Sequence, residues 1–95
     1  MTRFSIITDD MKHCIECGRL YPQLHEIFFG ARRNKSIEYG LVIPLCIFHH
    51  TEHKTGIHHN HELDMKWKVK GQEAFEEKYP ELEFIKVFYK NYLDK

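Results

Sequence analysis

Three cysteines and one histidine are arranged as two pairs whose spacing suits metal binding. Cys14 and Cys17 are separated by two residues and followed by Gly18, and Cys46 and His49 have the same separation. Each such pair can grip one tetrahedral Zn²⁺ from a tight turn, so the pattern predicts a closed structural zinc site. Two other interpretations are buried free cysteines that occur together by chance, and a redox dithiol formed by Cys14 and Cys17. The dithiol is disfavoured because no helix in a βαβ setting is expected to begin at Cys14.

Eight histidines are many for a chain of 95 residues, and the predicted zinc site uses only one of them. Imidazole at this density suits a second metal site or general acid–base chemistry near neutral pH. Each histidine could instead be an ordinary solvated surface residue. That interpretation is preferred for three of them: His13, His53 and His61. Three others are the stronger candidates for chemistry: His25, His50 and His58.

The charge balance limits the classes of partner. The chain has 14 basic and 14 acidic side chains and no formal net charge. Overall basicity of the kind common in nucleic-acid-binding proteins is therefore excluded, and any DNA contact must depend on a local patch or a bound metal.

The length predicts one domain over residues 1–95. The odd cysteine count, with no signal-type leader and no apolar stretch of about 20 residues, predicts a cytoplasmic protein without a membrane partner.

Short strands and loops are predicted for the first two thirds of the chain. Residues rich in β-branched and aromatic side chains predict strands, and Gly and polar residues predict loops. Pro44 indicates that the strand containing it is an edge strand or ends there. The predicted strands are residues 4–8, 24–29 and 41–45. A polar loop is expected over residues 31–39, and a short helical turn followed by a loop over residues 46–61.

Two helices are predicted after Asn60, a residue type that caps helix N-termini. The first runs to Pro80, with Gly71 costing its middle about 1 kcal/mol relative to Ala. The second spans residues 81–93. Its apolar residues have helical spacing, and we expect this stripe to pack in the core rather than to stack on bases. The stripe consists of Leu82, Ile85, Phe88, Tyr89, Tyr92 and Leu93.

Several segments in order carry a family resemblance: Cys14-Ile-Glu-Cys17-Gly18, His25-Glu26-Ile27-Phe28, Gly40 to His50, and Gly56-Ile57-His58. Together they resemble the HNH endonuclease superfamily, and within it the small phage-encoded proteins related to the recombination-enhancement, RecA-dependent nuclease. Residues 32–36 and 71–76 resemble that subgroup too, so the likeness covers about residues 14–79. It implies a small α+β fold, with a zinc-stapled treble-clef ββα-metal core, a short β-hairpin and C-terminal helices.

The resemblance also implies the activity, which is metal-dependent hydrolysis of DNA phosphodiester bonds. His25 matches the first position of the family's His-His or Asp-His pair, usually a metal ligand, and Glu26 occupies the position of the general base. His50 matches the last His of the motif and is expected to bind the catalytic cation, with His58 or His59 supplying another imidazole. Glu26 could instead bind the cation while His25 accepts the proton, and both assignments stay open.

Mg²⁺ or Mn²⁺ is the expected catalytic cation, with Zn²⁺ and Ni²⁺ as alternatives that imidazole ligands also suit. The sequence departs from the family at two places. The middle Asn of the motif, which would fall near Leu41, is absent, and a carboxylate stands at position 26. These departures support an alternative function, a non-catalytic zinc-binding module that holds DNA or a protein partner.

The DNA-facing candidates are three cations in the loop between the two motif strands: Arg32, Arg33 and Lys35. Three cations imply about three phosphate contacts, which would give weak, salt-sensitive binding without sequence preference. The same loop could equally be an ordinary solvated surface. By resemblance alone, a RecA-type recombinase is a further partner, and the location is the host cytoplasm if the protein is phage-encoded.

Overall fold

A two-stranded antiparallel sheet lies at the centre of the chain, in a computed structural model that describes residues 3–93. Strand β1 is Gln23–Glu26 and strand β2 is Val42–Leu45, with His25 opposite Ile43 in the register. All of β2 is buried, which fits its continuous apolar run. The strands predicted at 24–29 and 41–45 are confirmed in position, although β1 ends three residues earlier than expected. Together with the helices described below, this makes a small α+β fold.

The strand predicted at residues 4–8 is wrong. The Ser5 hydroxyl oxygen accepts hydrogen bonds from the backbone N–H groups of Ile7 and Thr8, at 3.1 and 3.3 Å. A side chain that captures neighbouring N–H groups competes with strand pairing. Ile6 still donates its backbone N–H to the Gly40 carbonyl, at 2.9 Å, so the segment lies against the core without joining the sheet.

The loop predicted at residues 31–39 is also wrong, because this segment is helical. A 3₁₀ turn over Gly30–Arg32 leads into helix α1, Arg33–Tyr39. The buried Ser36 hydroxyl accepts a hydrogen bond from the Phe28 backbone N–H at 2.9 Å, which ties α1 to the chain just after β1. Polar composition suggested a loop, but a tertiary hydrogen bond stabilises a helix there.

The short helix and the first long helix agree with the sequence. Helix α2 is Ile47–His50, inside the region predicted to hold a helical turn, and helix α3 is His61–Lys78. The Asn60 side chain accepts a hydrogen bond from the Leu63 backbone N–H at 3.1 Å, which confirms it as the N-cap. Gly71 is buried where a Cβ atom would come within 3.1 Å of the Phe28 ring, so its lack of a side chain permits close packing.

The last helix is shorter than predicted and packs in a different phase. Helix α4 covers only Phe84–Phe88, and Tyr89 leaves it with a left-handed backbone, φ 62°. Phe84 and Phe88 are buried against Phe28, whereas Ile85 and Tyr89 are exposed, so the predicted stripe is wrong at these two positions.

After α4, a buried side chain holds the chain in a non-helical course. The Gln72 side-chain oxygen accepts a hydrogen bond from the Tyr92 backbone N–H, at 2.7 Å.

Of the described residues, 3–93, none belongs to a helix long and apolar enough to cross a membrane.

Gly40 and Gly30 offer a matched pair for testing the packing of the N-terminal segment. Both have positive φ, 76° and 77°, but a Cβ on Gly40 would lie 2.5 Å from the Phe4 ring, whereas a Cβ on Gly30 would meet nothing within 4 Å. Gly30→Ala should therefore lose about 1 kcal/mol of unfolding free energy from backbone strain alone, and Gly40→Ala about 2 kcal/mol or more. Urea denaturation measures both, and equal losses would contradict the packing of Phe4 on Gly40.

Candidate metal centres

A tight turn presents the first cysteine pair. His13 and Leu20 form an isolated antiparallel bridge, and between them the Cys14 backbone N–H donates to the Arg19 carbonyl at 2.8 Å. Gly18 has φ 81°, a conformation that favours glycine, and its N–H donates to the Cys14 carbonyl at 2.8 Å. The predicted tight turn is therefore present over residues 14–19, called the knuckle from here on, and it carries both thiols.

Helix α2 presents the second pair. Cys46 follows β2 with an extended backbone, and its carbonyl accepts the N–H groups of both His49 and His50 at 3.0 and 2.8 Å. One helical turn thus brings Nδ1 of His49 to 3.3 Å from Sγ of Cys46.

These two pairs meet in one cluster, the Cys3His cluster, made of Cys14, Cys17, Cys46 and His49. Its four donor atoms all lie within 4.8 Å of one another. Two measured edges are 3.6 Å, from Sγ of Cys17 to Sγ of Cys46, and 3.7 Å, from Sγ of Cys14 to Nδ1 of His49. A tetrahedron around Zn²⁺ has S–S edges of about 3.8 Å and S–N edges of about 3.6 Å. The predicted grouping is confirmed, and its dimensions are compatible with structural zinc.

Arg19 balances the charge of this cluster, a role that spacing alone did not reveal. Its Nη1 atom donates to Sγ of Cys17 at 3.1 Å. The backbone N–H of Arg19, followed by contacts from the Cys46 thiol and the Arg19 guanidinium, lowers the pKa of the Cys17 thiol to about 6, so the thiolate form is favoured. Three thiolates and one neutral imidazole around Zn²⁺ would leave one net negative charge, which the guanidinium offsets.

Glu16 joins the knuckle to helix α3. Its Oε2 atom accepts hydrogen bonds from the Trp67 indole N–H at 2.6 Å and from the Lys66 ammonium at 2.7 Å. Sequence reasoning missed this link because the partners are 50 and 51 residues apart.

A second group of donor atoms, the His trio, is formed by His25 on β1, His50 on α2 and His58 in the loop before α3. The Nε2 atoms of His50 and His58 are 3.2 Å apart, and the His25 ring centroid lies 5.1 and 5.0 Å from theirs. The sequence named all three residues as candidates. It missed Gln23, whose side-chain oxygen accepts from Nδ1 of His50 at 2.6 Å and so leaves Nε2, the atom that faces His58, without a proton.

His25 is the most unusual member of the trio because it is only 1% exposed and its Nε2 atom has no hydrogen-bond partner in the described structure. Burial, and then the neighbouring His50, His58 and Lys68, lower the pKa of His25 to about 3. Burial and His58 also lower the pKa of His50. These two imidazoles are therefore neutral at pH 7, which is the form that binds metals. An orphaned buried nitrogen beside two further imidazoles fits a bound cation.

The trio opens into a pocket of about 430 Å³ that also holds one carboxylate and two arginines. The Glu26 carboxylate is buried and ion-paired with Nε of Arg33 at 2.5 Å and with Nε of Arg3 at 3.4 Å. Phe29 completes the wall, at 4.8 Å from His58 between ring centroids. The sequence had named His25, Glu26 and Arg33, but Arg3 and Phe29 carried no signal of their own.

The remaining predicted residues lie elsewhere. His59 is not part of the trio, and its ring stands 5.3 Å from His53. Arg32 stacks over Tyr89, and Lys35 forms an ion pair with Glu38 at 3.3 Å. The three predicted DNA-facing cations therefore have separate partners, since Arg33 contacts Glu26 in the pocket while the other two do not.

Comparison of the chain with protein-family models, with curated proteins and with solved structures gave no match.

Zinc content is the first property to test. We expect purified protein to carry one zinc ion per chain, Cys46→Ser to lose zinc and cooperative unfolding, and Arg19→Ala to keep zinc with an affinity about tenfold weaker. Elemental analysis and chelator competition measure these effects. Lys12→Ala, which removes an exposed cation two residues before Cys14, is the control and should match wild type. Wild-type protein that folds without zinc would contradict the assignment.

Proposed function

We propose that this protein is a metal-dependent DNA endonuclease of the HNH type, with zinc in the Cys3His cluster and a catalytic divalent cation on the His trio. One observation carries the proposal. Three imidazoles, one of them buried with an orphaned nitrogen, meet in a pocket that also contains a carboxylate and two guanidinium groups. Such a pocket combines ligands for a cation, a proton acceptor and a site for a phosphate. The antiparallel β1–β2 pair followed by α2 supports a treble-clef ββα-metal core.

His25, His50 and His58 are the residues that would hold the cation. A divalent cation bound to them would polarise the scissile phosphate and stabilise the leaving oxygen. Mn²⁺ and Mg²⁺ are the cations to test first, with Zn²⁺ and Ni²⁺ as imidazole-preferring alternatives. Gln23 acts here as a positioning residue because its hydrogen bond fixes the orientation of the His50 ring.

Glu26 is the proposed general base. The imidazole nitrogens that face one another in the trio would be occupied by the cation, and Glu26 is the one carboxylate among the described residues lining the pocket. Its carboxylate oxygen would accept the proton of the attacking water. We therefore prefer this assignment to the alternative in which Glu26 binds the cation and His25 accepts the proton.

Arg33 and Arg3 hold Glu26 in place, and they are the cationic side chains in the pocket that could bind a phosphate. The Arg33 side chain is 56% exposed, so one face of it stays open to a ligand while it contacts Glu26. Guanidinium groups pair with phosphate as readily as with carboxylate. A bound phosphate would therefore draw both arginines partly away from Glu26, which frees the carboxylate to accept a proton when substrate is present.

A nicking assay on supercoiled plasmid with Mn²⁺ or Mg²⁺ tests the proposal. We expect wild-type protein to nick the plasmid and Glu26→Gln to lower the rate by about 10²- to 10⁴-fold at every metal concentration, because the base is lost. His58→Ala should also lose activity but recover part of it with excess Mn²⁺, because only a ligand is missing.

His59→Ala is the matched control, since it removes the exposed imidazole next to His58 and should cleave like wild type. All variants should retain zinc and the wild-type melting temperature. Wild-type protein that nicks no DNA with any of these cations would instead support the non-catalytic zinc-binding module. Equal activity of the Glu26 and His58 variants with wild type would show that the pocket is not the active site.

A further inference from the structure

Aromatic rings and cations alternate along a surface that starts at the pocket wall. We call it the stacking surface, and it consists of Phe29, Arg32, Lys68, Tyr89, Lys90 and Tyr92. At the pocket end, the Phe29 ring is 39% exposed and lies beside His58. The Lys68 ammonium stands 4.6 Å from the centre of the Phe29 ring and 5.8 Å from that of Tyr92. The surface is therefore continuous with the His trio.

Its outer end is a stacked pair. The guanidinium carbon of Arg32 lies 3.8 Å from the centre of the Tyr89 ring, at stacking distance. Tyr89 remains 65% exposed, so most of its side chain is open to solvent. Next to it, the Lys90 ammonium lies 5.2 Å from the centre of the Tyr92 ring. Aromatic rings and flat guanidinium groups are the surfaces on which unpaired bases stack.

The backbone at Tyr89 argues that its side chain is there for binding. Tyr89 ends helix α4 with φ 62°, a conformation that glycine adopts freely and a bulky residue adopts at a cost. Burial does not offset this cost, because the ring is mostly exposed. A tyrosine in this position is costly for folding, whereas an exposed ring is useful for binding.

The charge of the surface favours an anionic partner. Arg32 and Lys90 form no ion pair with any of the residues that the structure describes, and Lys68 pairs with Asp64 at 2.9 Å. Three cations against one carboxylate leave an excess of positive charge between the rings. Alternation of rings with cations, two of them without an ion pair among the described residues, suits a polymer that alternates flat bases with phosphates.

We infer that the stacking surface binds the unpaired bases of single-stranded DNA and leads that strand to the pocket. The inference rests on the proposed function for the cleavage of that strand in the pocket, and it names single-stranded DNA as the substrate class. In a duplex each base is already stacked between its neighbours, so exposed rings gain little from it. Duplex DNA should bind through its phosphates alone and therefore more weakly at this surface.

Fluorescence anisotropy with a labelled oligothymidylate of about 16 nucleotides tests the inference. The protein used is the full chain carrying His50→Ala, so that cleavage cannot deplete the probe. We expect Tyr89→Gly in this background to weaken binding to the oligothymidylate by about tenfold and to change duplex binding little. Its melting temperature should stay the same or rise, because glycine relieves the strained backbone. A tyrosine that served only the fold would give the opposite change in stability.

Tyr21→Gly is the matched control. Tyr21 is also a tyrosine with positive φ, 60°, and is 92% exposed, but no cation of the described residues lies over its ring. It should bind the oligothymidylate like the parent protein. The inference would be overturned if the Tyr89→Gly variant bound the oligothymidylate as tightly as the parent protein. It would also be overturned if Tyr21→Gly lost as much affinity as Tyr89→Gly, or if the protein bound oligouridylate alone. The nuclease proposal fails separately. A wild-type protein that nicks no DNA would overturn that proposal, but the two tyrosine variants would still differ in their affinity for the oligothymidylate.

Discussion

The two clusters are joined by one turn of helix. His49 and His50 are neighbours in α2, and the Cys46 carbonyl accepts the backbone N–H of both. Their side chains nevertheless belong to different clusters, one to Cys3His and the other to the His trio. Whatever fixes Cys46 and His49 therefore also fixes His50. Because the chain has a small core, a zinc ion that holds this turn would stabilise the fold and orient the pocket at once.

Local charge pairing occurs at both clusters although the chain has no formal net charge. Arg19 lies against the thiols, and Arg3 and Arg33 lie against Glu26. Each centre thus contains its own opposing charges, and net charge over the chain says little about either. Two cations that form no ion pair with the described residues, Arg32 and Lys90, lie against the aromatic rings of Tyr89 and Tyr92. Equal numbers of acidic and basic residues therefore do not mean that charge is spread evenly over the surface.

The sequence predicted those features that depend on spacing or on local chemistry. The two ligand pairs need only one turn each, so Cys14, Cys17, Cys46 and His49 could be grouped before the structure was known. The N-cap at Asn60 and the position of strand β2 are similarly local.

Features that depend on distant partners could not be predicted. Helix α1 is tied down by the hydrogen bond between Ser36 and Phe28, and the course of the chain after α4 by that between Gln72 and Tyr92. Arg3 lies in the N-terminal segment and contacts Glu26 in the pocket, but no sequence pattern around Arg3 indicates that contact. The choice between His58 and His59 likewise depended on how the loop after α2 turns, which neither residue type nor spacing determines.

Anomalous diffraction from crystals soaked in MnCl₂ would test the central claim that one fold holds two distinct metal centres joined by α2. Maps recorded on either side of the zinc absorption edge distinguish the two elements. We expect a zinc peak within the Cys3His cluster and a manganese peak among the ring nitrogens of His25, His50 and His58. A manganese peak elsewhere with none at the His trio, or cysteines without zinc around them, would contradict it.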